Sequence, residues 1–259
     1  MKWFGAQQSE EVPVADRMAA AYDAAGQGDY AKALDLWTPL AHAGVARAAN
    51  NIGACFSEGM GVDRDIKLAE RWLILAAQGG DPIGQRNLAS LYFKGDGVEQ
   101  DNVRAAELYR AAAEQGDAPA QDMLSWMLLE GDSIAVDHAA SRDWAERAAA
   151  QGVAASMTRL GMIHHNAFGV PRDPSVAASW WRKAADRGDA DGQAMLGAAC
   201  HLGSGVERDG VAAMAWLLRA RNGGSPLAMQ FFMAVRASLS PDELAEAERR
   251  AAQPLEPSA

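Results

Sequence analysis

Three histidines and a cysteine come closest to chemistry in this chain. His164 and His165 are followed, 36 residues on, by Cys200 and His201. Imidazole nitrogen with thiolate sulfur is a donor set that takes zinc or activates a nucleophile. One ion could reach all four only if their side chains faced alike. Adjacent residues on a helix diverge by about 100°, so His164 and Cys200 fall in one column and His165 and His201 in the next. A zinc histidine also wants a carboxylate behind it, and none recurs beside these. Metal-dependent or hydrolytic chemistry at His164, His165, Cys200 and His201 is the alternative reading. No catalytic residue, cofactor or metal is assigned. No HExxH, nucleophile elbow or phosphate-cradling loop occurs. The repeated Gly-x-Gly-Val lies between two helices, where no dinucleotide site forms.

The spacing of that cluster is the spacing of the whole chain. Aspartate recurs at Asp65, Asp101, Asp137, Asp173 and Asp209, glycine at Gly80, Gly116, Gly152, Gly188 and Gly224, and alanine at Ala76, Ala112, Ala148, Ala184 and Ala220, always 36 apart. A fixed period of this size means stacked supersecondary units that bury their apolar faces against their neighbours. In one unit, Leu88, Leu91 and Tyr92 mark a first helix. Gly95 and Gly97 turn the chain through positive φ, and Val98 tucks under the turn. Asp101 caps a second helix that ends before Gly116. Small residues recur at Gly53, Ala89, Ser125, Gly161 and Gly197, and at Ala69, Ala105, Ser141, Ala177 and Ala213, where paired helices must come close. Trp72, Leu108, Trp144, Trp180 and Trp216 are expected as a buried column, core rather than ligand cage. Each tryptophan-to-alanine change there should cost about 3–5 kcal/mol.

The net charge of −10 argues against a nucleic-acid backbone or an anionic membrane surface as partner. No apolar run of about 18 residues could cross a membrane. The only cysteines, Cys55 and Cys200, lie too many units apart to bridge within one chain. The start, MKWFGAQQSEEV, lacks a secretory apolar core. A reducing cytoplasm is the expected setting.

The arrangement A…LG..Y..G.GV..D…A..W..AA..G, nearly complete in residues 84–116 and 192–224, resembles the Sel-one-like repeat family, α/α relatives of tetratricopeptide solenoids. The resemblance covers roughly Asp29 to Ala228. It implies an all-α, right-handed superhelical solenoid of helix pairs and adaptor or scaffold roles. The departures are Ser133, in place of the second loop glycine within Gly131–Asp137, and the absence of the paired cysteines of the family's disulfide-rich branch. Expected boundaries are a tail at 1–12, a cap helix with a degenerate repeat at 13–47, five repeats at 48–226, capping helices at 227–253 and a tail at 254–259.

The resemblance further implies that the first helix of each pair lines a concave side. Turning away from the core positions Leu88, Ala89 and Tyr92 brings Arg86, Asn87, Ser90, Phe93 and Lys94 onto that face. Matching positions give Asn50, Asn51, Ser57 and Glu58, then Asp122, Trp126, Leu129 and Glu130, then Arg159, Met162, His165 and Asn166, then Met195, His201 and Leu202. These residues do not repeat, as suits contact with a particular partner. Phe93, Trp126, Leu129 and His165 read as an apolar seam with the makings of a hot spot. Filling between layers is the other reading of Phe93 and Trp126. The expected partner is a peptide or helix of another protein, with no nucleic acid and no membrane insertion, and self-association is compatible with this.

Overall fold

The computed structural model describes residues 12–131 and 134–255, so the expected tails lie outside it apart from residues 12, 254 and 255. All its regular structure is helical: fourteen helices and no strand among the described residues. They fall into two compact units that divide after Asp117. The first holds α1 (Val14–Gly26), α2 (Tyr30–His42), α3 (Ala46–Glu58), α4 (Ile66–Gln78), α5 (Pro82–Lys94) and α6 (Asn102–Glu114). The second holds α7 (Ala118–Glu130), α8 (His138–Ala150), α9 (Ala154–Asn166), α10 (Pro174–Asp186), α11 (Ala190–Leu202), α12 (Gly210–Asn222), α13 (Ala228–Ala237) and α14 (Pro241–Ala252). In each unit, first helices pack on their own partner and on the first helix of the next pair, as α3 does on α4 and α5.

The punctuation behaves as the spacing requires. Asp65, Asp101, Asp137, Asp173 and Asp209 all accept hydrogen bonds from first-turn amides of the helices they precede. Asp29 does the same for α2. Ser240 and Glu243 close a reciprocal capping box on α14. Between paired helices, a long polar side chain seven residues beyond a first helix's last-turn carbonyl folds back to donate to it: Arg64 to Ser57 O, Gln100 to Phe93 O and Arg172 to His165 O. Val136 occupies this position after α7 and has no donor. Part of the departure expected at Gly131–Asp137 falls on residues outside those described.

The small-residue columns set the pair spacing. A Cβ added to Gly53 would lie 2.8 Å from Leu73 Cγ, and one on Gly197 would lie 2.9 Å from Leu217 Cγ. At Gly161 it would overlap the indole nitrogen of Trp181, which donates to Thr158 O. Where serine stands in both columns, Ser125 and Ser141 each donate to the other's backbone carbonyl at 2.8 Å.

The tryptophan column is less buried than the spacing suggested. Trp144 is buried, but Trp72, Trp180 and Trp216 are only half-buried. The fully enclosed position is the next residue along: Leu73, Tyr109, Ala145, Trp181 and Leu217. The tryptophans lie one step off the pair axis, with a face toward water, and cations cover them. Arg147 sits 4.5 Å over Trp144 and Lys183 4.2 Å over Trp180. A second departure is Ala167, which takes the first-loop position held elsewhere by Gly59, Gly95, Gly131 and Gly203 and adopts their left-handed backbone at φ 60°.

Two stability outcomes follow. Gly161→Ala gains helix propensity but must displace an indole fixed by its hydrogen bond, so a net loss of about 1–3 kcal/mol is expected in chemical denaturation. Gly53→Ala meets the aliphatic Leu73 side chain and, at 3.3 Å, the Ala69 carbonyl oxygen, with no hydrogen-bonded indole to displace, and should cost less. Ala167→Gly should raise stability by about 1 kcal/mol, because glycine carries no steric cost at that φ.

Candidate functional site

The proposed binding residues lie on first helices, and within each unit carboxylates join one first helix to the next, Asp81 being buried. In the first unit, Arg47 donates to Asp81 at 2.6 Å across α3 and α5, and the adjacent carboxylate raises the Arg47 pKa. Asn87 donates to Asn50, and Asn50 donates to Asn51. Arg86 grips both oxygens of Asp117. In the second unit the start of α9 carries Val153 where Asp81 and Asp189 stand on other helices. Asp122 of α7 supplies the missing carboxylate, accepting from Ser156 at 2.5 Å and Arg159 at 2.6 Å. Thr158 donates to Asp189 between α9 and α11, and Ser225 donates to Asp191.

First-helix residues also contribute to two pockets, one in each unit. The first, about 320 Å³, is lined by Ala54, Ser57, Glu58, Arg64, Ile66, Leu73, Asn87, Ser90, Leu91, Lys94 and Asp96. The second, about 230 Å³, is lined by Trp126, Leu129, Glu130, Ala155, Thr158, Arg159, Met162, Asp189 and Asp191. Trp126, Leu129, Glu130, Arg159 and Met162 thus come together as a group.

Other expected residues are placed differently. Asn50 is buried within the asparagine chain, and Arg86 and Asp122 are occupied in joining helices. Phe93 is half-buried, and Lys94 and Asn166 are exposed. His165 turns onto its paired helix, its ring 5.4 Å from that of Trp181, with Nδ1 buried and without a hydrogen-bond partner. It leaves the seam because its ring packs on Trp181 of the paired helix α10. His201 lies edge-on to Phe231 of α13.

Helix-wheel reasoning missed Asp189 and Asp191. They stand at the start of α11, beyond the turns considered, and reach the pocket because that start lies beside the early turns of α9, where Thr158 donates to Asp189. The pair of aspartates around Ala190 was the available signal, and its capping role hid it.

The histidine and cysteine residues do not form a coordinating group. Among the described residues, no three His, Cys, Asp or Glu side chains are arranged to hold an ion. Cys200 is buried, and burial raises its thiol pKa, which favours the unreactive protonated form. Cys55, also buried, is pushed up to about 11 by desolvation. Both thiols are free.

A sequence model described as the Sel1 repeat matches five consecutive segments, residues 46–81, 82–117, 118–153, 154–189 and 190–225. The crystal structure of a Sel1 repeat protein from Oxalobacter formigenes is similar, with TM-score 0.82 and 25% identity over 92% of this chain and 97% of that one. That of c5321, described as a protective antigen of uropathogenic Escherichia coli strains displaying an SLR fold, also has 25% identity, over 91% of this chain and 67% of that one. Its TM-score is 0.41. Among curated proteins none matches the chain. No described helix is long and apolar enough to cross a membrane.

The thiols give a signed pH dependence. The unfolded thiol ionises near about 8.5, whereas folded Cys55 holds its proton to about 11. The stability this contributes is complete below the unfolded value and is lost as pH rises through the folded one. Urea midpoints should therefore fall across that window, and Cys55→Ala should flatten the fall. Identical slopes in variant and parent would contradict the assignment.

Proposed function

The chain belongs to the Sel1 repeat family, and on that premise we propose that it is a non-catalytic scaffold whose first helices hold a peptide or helix of a partner protein. Sel1 repeat proteins are generally protein-interaction scaffolds. The observation that carries the reading here is the contrast between columns. Positions facing the paired helix repeat with small or apolar residues. Those lining the two pockets change from copy to copy, and they mix an aromatic, a methionine, leucines and charges. A stack needs only the first set, while a specific partner needs the second.

Asn50, Asn51 and Asn87 shape the first-unit face, with Ser90, Phe93 and Lys94 beside them. Trp126, Leu129, Glu130 and Met162 form the contact surface of the second. The buried ion pairs are positioning elements, since a charge already matched inside the protein has little left for a partner. Two free, buried thiols suit a reducing cytoplasm.

The test is capture of partners from host lysate with wild type and with a Trp126→Ala/Met162→Ala variant whose folding is verified by circular dichroism and melting. A partner retained by wild type and lost by the folded variant is the expected result, with a weakening of about tenfold or more for a true hot spot. Recovery of the same partners by both proteins would move the binding surface off this pocket.

A further inference from the structure

The two pockets differ in charge. In the first unit, Glu58 and Asp96 share the lining with Arg64 and Lys94, and Arg64 and Asp96 are paired at 2.5 Å. Two cations thus stand beside two carboxylates there, and Asp96 has a cation of its own. In the second unit, Glu130, Asp189 and Asp191 face a single cation, Arg159, whose guanidinium lies 2.6 Å from Asp122 and is neutralised by it. Asp189 is engaged, accepting from Thr158 and from the Gly192 amide. Asp191 receives Ser225 on Oδ1. Glu130 is exposed in the last turn of α7, where the helix dipole adds to its negative charge rather than offsetting it. Among the described residues no salt bridge reaches Glu130.

Beside these carboxylates the pocket has apolar lining: Leu129, Met162 and Ala155, with the indole of Trp126. Apolar lining beside carboxylate acceptors fits a side chain whose body is hydrocarbon and whose tip is a cation. An apolar occupant would cover carboxylates without pairing them, and an acidic one would add like charge. We propose, resting on the scaffold reading above, that the pocket between α7, α9 and α11 takes an arginine or lysine side chain from the partner segment. Its methylenes lie along Leu129 and Met162 and its charge meets Glu130 and Asp191. The net charge of −10 attracts such a segment from a distance.

The experiment uses the full chain labelled at its methionine methyls, with the Met162 resonance assigned by Met162→Leu. The probes are capped Leu-Arg-Leu-Arg-Leu and the same peptide with citrulline or glutamate for arginine. The arginine peptide should shift the Met162 methyl saturably and progressively less as sodium chloride is raised. The citrulline and glutamate peptides should bind at least about tenfold more weakly. Glu130→Lys, a surface change that spares the core, should weaken the arginine peptide by a similar factor. Glu146→Lys on α8, outside the pocket, should not.

Equal binding of the citrulline peptide, or equal loss in both lysine variants, would overturn the basic-side-chain assignment while leaving a peptide-binding pocket and the scaffold reading intact. If no peptide moves Met162 while the capture experiment still loses its partner in the Trp126/Met162 variant, the assignment fails and the scaffold reading survives. If that partner is also retained, both fail.

Discussion

Everything on the first-helix face depends on how close two paired helices can come. At Gly53, Gly161 and Gly197 a backbone with no Cβ receives a large side chain from its partner: Leu73, Trp181 and Leu217. At Ser125 and Ser141 two hydroxyls interlock instead. This contact fixes the rotation of each pair. Rotation decides which residues of the first helix turn inward and which remain at the surface, so the pockets are consequences of glycines that never touch them. The same proximity sends His165 onto Trp181.

A second constraint joins one pair to the next. Inside each unit, junctions between first helices carry a carboxylate with a neighbouring donor, and the partners vary while the role persists: Arg47 with Asp81, Ser156 and Arg159 with Asp122, Thr158 with Asp189. These side chains are largely withdrawn from water, so removing one partner would leave the other costly to bury. Where the usual cap position holds Val153, the acid is Asp122 of the preceding first helix, α7. The charges left over after this pairing, notably Glu130 and Asp191, give the second-unit pocket its acidic character.

Much of the fold was legible because a repeat states its rules several times. The capping aspartates, the left-handed glycines and the small-residue columns could be identified from spacing. Three things were not legible. The tryptophan column and its buried neighbour are one residue apart, a rotation that periodicity alone does not resolve, so Trp180 and Trp181 exchanged roles. Ala167 adopts a glycine's backbone because the loop around it is fixed by its neighbours, and an alanine in the sequence gives no sign of this. Of the face itself, Trp126, Leu129, Glu130, Arg159 and Met162 were found together. Asp189 and Asp191 were missed, because a pocket between stacked helices takes part of its lining from the next helix's first turn.

Within each unit, the polar contacts that join neighbouring first helices span 31 to 37 residues of sequence, about one repeat. The stretch of chain that must close to make such a contact is therefore the same wherever it forms. Its entropic cost does not grow with the length of the protein. Folding can begin at any well-formed pair and spread to its neighbours. Whole 36-residue copies could accordingly be added or removed with a nearly constant increment of stability and little change in folding rate, a freedom that a closed core with distant strand pairings lacks.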